Sequence, residues 1–147
     1  MHHHTKRVGT ELTSEYYIEH LRKQKRTLAN KYSVLGRHHN SLNNYIRRNL
    51  SLLPSRSKIL DSGCGLSIWV TPAIRKKYKL ISVDGESSAI EACKKVYKNS
   101  DYRLGDLYNL KFKPEQFDAI VMREVIEHFR TPEKAVKEVH RVLKLGG

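Results

Sequence analysis

Four acidic residues and two glycines stand where bare backbone and carboxylates can meet a ligand. Gly63 and Gly65 lie one residue apart, around Cys64, in "ILDSGCGLS" (59–67), just after an apolar run that ends at Asp61. Glycines at this spacing open backbone angles closed to other residues and let a ligand approach the main chain. Asp84 closes "KLISVD" (79–84) ahead of Gly85, where one ionised carboxylate can accept from two neighbouring hydroxyls. Asp106 and Leu107 follow "YRL" in "YRLGDL", and Arg123 and Glu124 follow "FDAIVM" (117–122). One turn further on lies His128, which with Glu124 is a candidate to take a proton if the nucleophile is a hydroxyl. Taken singly, each has an ordinary reading: a tight Gly-x-Gly turn, an Asp-Gly turn, a capping aspartate. Their joint spacing is what carries weight.

A scaffold must bring these four places together, and the second part of the chain has the pattern for one. After Pro54 the apolar runs "KIL" (58–60), "KLISV" (79–83), "YRL" (102–104) and "FDAIVM" (117–122) read as short strands. Between them "AIRKKY" (73–78), "SSAIEACKKVYK" (87–98) and "TPEKAVKEVHRVLK" (131–144) have helical spacing. In the last, Ala135, Val136, Val139, Val142 and Leu143 form the expected apolar face, with Thr131 as N-cap and Pro132 as first helical residue. Alternation of this kind predicts an α/β fold with a parallel sheet, right-handed crossovers and flanking helices. Ligands of such sheets lie beyond the carboxyl ends of the strands, where strand order reverses. Pro72 leaves the start of the first of these helices open between Thr71 and Ser67.

Residues 1–57 read as a separate basic, helical segment that packs on the core or forms a lid, and residues 58–147 as the core itself. "SEYYIEHLRKQKRTL" places Tyr17, Ile18, Leu21 and Leu28 on one side, with Ser14 as N-cap. Leu42, Tyr45, Ile46, Asn49, Leu50 and Leu53 form a second stripe. Residues 1–57 hold 11 Lys and Arg against 3 acids, and residues 58–147 hold 17 against 12, which together give the net charge of +13. A basic stripe around "RKQKR" (22–26) and "IRR" (46–48) is either a solvated helix face or a contact for RNA or another anionic partner.

The 147 residues suffice for one core. No apolar run is long enough to span a bilayer, and the start has no signal-peptide pattern. The histidines at 2–4 carry no functional argument. Cys64 and Cys93 are too far apart in sequence for a CxxC pair, so neither a metal site nor a disulfide framework is expected, and a reducing cytoplasm fits best.

On these motifs the sequence resembles the class I S-adenosylmethionine-dependent methyltransferases, in particular the broad type that includes quinone-biosynthesis enzymes. "ILDSGCGLS" resembles that family's glycine motif, and "ISVDGESSAIEACKK" its second motif. "FDAIVMREVIEHFRTPEKAVKEVHRVLKLGG" resembles its fourth strand and following helix. The resemblance implies a Rossmann-like core that binds S-adenosylmethionine. Gly63 and Gly65 would pass under its methionine part, Asp84 would take its ribose hydroxyls, and Asp106 and Leu107 would flank its adenine. Arg123 and Glu124 would face the methionine end and the acceptor. Asp61, Cys64 and Gly85 complete the implied cofactor set, and Glu124 and His128 are the implied proton acceptors.

A dinucleotide reading fails at Ile68, where a third glycine is required. The family's own small third residue is Ser67 here. The Asn-Pro-Pro-aromatic signature of enzymes acting on exocyclic amines of nucleic-acid bases is absent, so a small organic acceptor is expected. The alternatives are a non-catalytic scaffold subunit and an RNA-binding module. Family members continue past "LKLGG", so the resemblance implies that later strands of the fold are missing and that the fourth strand is an open edge prone to self-association.

Overall fold

A computed structural model of the chain describes residues 13–30, 33–70 and 72–147. The histidines at 2–4, Tyr32 and Thr71 fall outside the described residues, as does the side chain of Leu28. Helices α1 (Ser14–Ala29) and α2 (Val34–Ser51) precede the strand–helix alternation. Then come β1 (Lys58–Ser62), α3 (Pro72–Lys77), β2 (Lys79–Asp84), α4 (Ser87–Val96), β3 (Asp101–Leu104), β4 (Ala119–Val121) and α5 (Pro132–Val142). A single 3-10 turn, Ile126–His128, lies between β4 and α5. No helix among the described residues is long and apolar enough to cross a membrane.

The four strands are parallel in the order β3-β2-β1-β4. The chain runs outward from β1 to β3, then crosses back to lay β4 on the other side of β1. That reversal opens a crevice above the carboxyl ends of β1, β2 and β4. β4 lies at one edge. The start of its segment is covered, because Phe117 bridges to Leu143 and accepts from the Lys144 N–H at 2.9 Å.

Alternation along β1 divides the core. Leu60 faces α5 with Val83, Leu107, Phe117, Ala135 and Val142. Ile59 faces α2 and α3 with Leu50, Trp69, Ile74 and Tyr78. A third cluster docks Leu21 of α1 on Ala89, Ile90, Ala92 and Cys93 of α4. Each large apolar side chain among these contributes about 1.5–3 kcal/mol on full burial. The N-terminal helices thus pack on the sheet layers.

Some helix faces differ from the periodicity reading. The N-cap of α1 is Thr13, whose hydroxyl accepts from the Tyr16 N–H, not Ser14. Ser14 is buried, with Lys95 donating to its hydroxyl. In α2 the buried positions are Gly36, Asn43 and Leu50, while Tyr45 and Asn49 point outward. The helix is rotated toward a polar partner, described below, which apolar counting cannot detect. Val136 of α5 is likewise exposed, and the buried face is carried by Ala135 and Val142. α3 begins at Pro72, where a missing N–H costs nothing.

Candidate active site

A cleft of about 660 Å³ opens at the carboxyl ends of the strands. Among its lining residues are Gly63, Gly65, Asp84, Gly85, Asp106, Leu107, Glu124 and His128, which the sequence singles out. Tyr17, Glu86, Gly105 and Val125 join them. Asp61, Cys64 and Arg123, also expected there, are not part of the lining; each serves the site from behind.

The two glycines have different duties. Gly63 sits at φ +79°, and a Cβ placed on it would lie 2.5 Å from Cγ2 of Val125. Its N–H and that of Cys64 both donate to the Val83 carbonyl, at 2.8 and 3.0 Å, which ties the turn to β2. Gly63→Ala should therefore cost about 2–4 kcal/mol in urea unfolding, from overpacking plus a left-handed backbone. At Gly65, φ is +47° and a Cβ would meet nothing within 4 Å. That open side faces the cleft.

Asp84 holds the lip. Its Oδ2 accepts from the Gly65 N–H at 2.7 Å and its Oδ1 from the Glu86 N–H at 2.9 Å. A carboxylate has about four lone-pair sites, so two remain after these bonds. Glu86 caps α4, accepting from the Ser88 N–H at 3.2 Å. Asp106 accepts from the Tyr108 N–H at 2.8 Å, folding its loop over the buried Leu107.

Asp61 points away from the cleft, into the layer under α2 and α3. It is 1% exposed and accepts from Ser67 Oγ at 3.1 Å, Trp69 Nε1 at 3.1 Å and Ser82 Oγ at 3.4 Å. Burial pushes its carboxyl up to about 7, against the pull of the Trp69 and Ser67 bonds. Ser67, buried at φ +50°, therefore does more than replace a glycine, because its hydroxyl pins the far end of the turn. Trp69 could have been suspected from sequence only as core. Its indole N–H needed a partner, and Asp61 was the acid close at hand. Cys64 and Cys93 both direct their Sγ at the Gly65 carbonyl, at 3.7 and 3.4 Å. Burial raises both thiols, Cys93 to about 12, so neither is a nucleophile near neutral pH.

Arg123 turns toward α2. Its Nη1 donates to Asn43 Oδ1 at 2.8 Å, and its Nη2 meets His39 Nδ1 and lies 3.2 Å from Glu124 Oε2. This is the polar partner that rotates α2. Burial, and then the Arg123 charge, holds the His39 imidazole below its ordinary range. Glu124, at φ +53°, is half exposed and lines the cleft, as does His128. Tyr17, counted from sequence as apolar packing, brings α1 into the cleft; burial, with Glu86 and Asp84 nearby, raises its phenol to about 12.

This geometry suits S-adenosylmethionine. The floor at Gly65 is free of side chains, and a clamped carboxylate stands beside it with acceptor capacity to spare.

Comparison with known proteins agrees with the fold. A family described as a methyltransferase domain matches residues 60–147. A ubiquinone biosynthesis O-methyltransferase of Pelagibacter ubique is 31% identical over 94 residues, covering 61% of this chain and 39% of the relative. A tRNA (carboxymethyluridine(34)-5-O)-methyltransferase of Arabidopsis thaliana is 33% identical over 101 residues, covering 67% of this chain and 24% of the relative. The crystal structure of the YcgJ protein of Bacillus subtilis superposes with a TM-score of 0.60 at 26% identity, over 73% of this chain and 48% of that one. The chain thus spans less than half the length of each. With a parallel Rossmann-like sheet, the glycine turn at its switch point and the family match over most of the core, the chain belongs to the class I S-adenosylmethionine-dependent methyltransferases.

Proposed function

We propose that the cleft binds S-adenosylmethionine and directs its methyl group to an oxygen of a small organic acceptor. The observation that carries the reading is Asp84, held between the Gly65 and Glu86 N–H groups at the edge of a floor that lacks side chains. Asp84 accepts from the ribose hydroxyls, Gly65 leaves room for the methionine part over the turn that Gly63 shapes, and Asp106 with Leu107 borders the base. When bound, the cofactor supplies a methyl group made electrophilic by a positive sulfur and open to in-line attack. Glu124 and His128, which also line the cleft, orient the acceptor and take the proton of its hydroxyl. Arg123 does not touch the ligand in this reading; it fixes Glu124 while anchored on Asn43 and His39. An oxygen nucleophile is supported by two of the curated relatives, whose names state transfer to oxygen.

Calorimetric titration with S-adenosylhomocysteine tests the cofactor half. Asp84→Ala should weaken binding about ten- to a hundredfold, since charge-assisted hydrogen bonds contribute about 1.5–3 kcal/mol and each 1.4 kcal/mol is tenfold. Asp84→Asn should lose nearly as much. Both carboxylate oxygens accept backbone N–H groups, and an amide would turn an NH2 toward one of them. Undiminished binding by Asp84→Ala, or binding of NAD in preference, would overturn the assignment.

A further inference from the structure

We propose that the amino-terminal edge of the sheet, opposite the cleft, is a binding surface for the phosphate backbone of a nucleic acid. The inference goes beyond the proposed methyl transfer and does not depend on it. Residues 54–83 carry six Lys or Arg and a single acid, the buried Asp61. The fold gathers these six at one end. β1 and β2 begin side by side with Lys58 opposite Lys79. The Arg56 N–H donates to the Lys77 carbonyl at 2.7 Å, and Lys77 Nζ reaches the Ser51 carbonyl of α2 at 3.4 Å. Arg48 lies in the last turn of the same helix.

Two of the cations are held in place by aromatic rings instead of carboxylates. Lys77 Nζ lies 4.9 Å from the ring centre of Tyr78. The Arg75 guanidinium lies 4.2 Å from the ring centre of Tyr97 and donates to Tyr102 Oη at 2.9 Å, and Lys25 of α1 also lies over Tyr97, at 4.8 Å. The ion pairs of the described residues are Lys95–Glu15, Arg103–Asp101, Arg123–Glu124, Arg141–Glu138 and Lys144–Asp118. None uses one of these six cations, although Asp118, which pairs with Lys144, stands beside Lys58 and accepts from its backbone N–H at 2.7 Å. Asp118 offsets part of the charge at Lys58, and the six cations with this one neighbouring carboxylate leave the edge positive.

The cleft carries the opposite charge. Its lining holds Asp84, Glu86, Asp106 and Glu124 and no Lys or Arg. A polyanion is therefore drawn to the edge and away from the cleft. A lipid surface would need apolar side chains to insert, and Leu52, at the end of α2, is the large exposed one adjoining Arg48 and Arg56. Closely spaced cations with this one exposed leucine match a chain of phosphates better than a lipid surface.

Fluorescence polarisation of the whole chain with a short labelled single-stranded RNA, over a range of salt, provides the test. Replacing Lys58, Lys76 and Lys79 together by Gln should weaken binding on the order of tenfold at low salt. It should also flatten the log–log salt slope by about 2, because each phosphate left unneutralised on a single strand takes away roughly 0.7. The urea midpoint, read from Trp69 fluorescence, should change little, because all three side chains are exposed. The control replaces Lys113, Lys134 and Lys137 by Gln, which removes the same charge from the surface beside α5, and should leave affinity within about twofold. Equal losses in the two triple variants would show a net-charge effect and overturn the proposal. So would full competition of the RNA by phosphatidylglycerol vesicles or polyglutamate at equal charge concentration.

Discussion

Gly65→Leu should abolish binding of S-adenosylhomocysteine while leaving the chain folded. A Cβ at this position meets no atom within 4 Å, so the new side chain is accepted by the protein and occupies the ligand's place. The backbone at φ +47° is left-handed, which costs a non-glycine residue roughly 1–2 kcal/mol. Loss of affinity beyond about a hundredfold, or about 3 kcal/mol, is expected by calorimetry. The urea midpoint should move only by the backbone cost. Gly63→Ala should do the reverse, because its methyl group collides with Val125 inside the protein. Wild-type affinity in Gly65→Leu would mean that the ligand does not lie over this turn, and the proposed function would fall with it.

Asp61→Ala should be among the most destabilising single changes in the chain. It leaves the Trp69 indole and two serine hydroxyls without their acceptor in a layer closed to water, at a cost of about 2–4 kcal/mol near pH 5. Asp61→Asn keeps an acceptor for Trp69, and the serine hydroxyls can rotate to accept from its amide. The pH dependence separates the two variants. The folded carboxyl titrates near 7, above its ordinary 3.8, so the native state holds its proton where the unfolded state has lost it. Between about pH 4 and pH 7 this group makes stability fall as pH rises, by a few kcal/mol at most. Asp61→Asn should remove that slope, lying below wild type at pH 5 and level with it or above it at pH 8. Urea unfolding followed by the fluorescence of the single tryptophan checks this at the indole concerned. Parallel pH profiles for wild type and Asp61→Asn would show that Asp61 is not the group being titrated.

The strands and their end residues were legible because short apolar runs alternate with helical spacing, and because Asp84 and Asp106 fall where those runs stop. Gly63 and Gly65 could be placed in the turn for the same reason. What each does there could not be read, since it depends on whether Val125 or open space lies opposite. Asp61, in the motif, looked like a ligand contact; strand alternation turns its side chain to the other face of β1, where Trp69 and Ser82 wait. Arg123 and Asn43 are 80 residues apart, and their hydrogen bond has no local pattern to announce it. The same bond explains why apolar counting misplaced the inner face of α2. Tyr17 was counted as packing because a helix wheel shows that a residue faces inward but not that a cleft lies there.

Tyr17 ties α1 to the state of the cleft. The helix is otherwise docked on α4 by Leu21 and its neighbours, a contact that can open without unfolding the sheet. A ligand that touches the tyrosine lends part of its binding energy to that docking by mass action. The sequence "RKQKR" on the same helix is a row of tryptic sites, and cleavage there requires α1 to unwind locally. Filling the cleft with S-adenosylhomocysteine should therefore slow the rate at which trypsin severs the helix, which would make that rate a clock for occupancy.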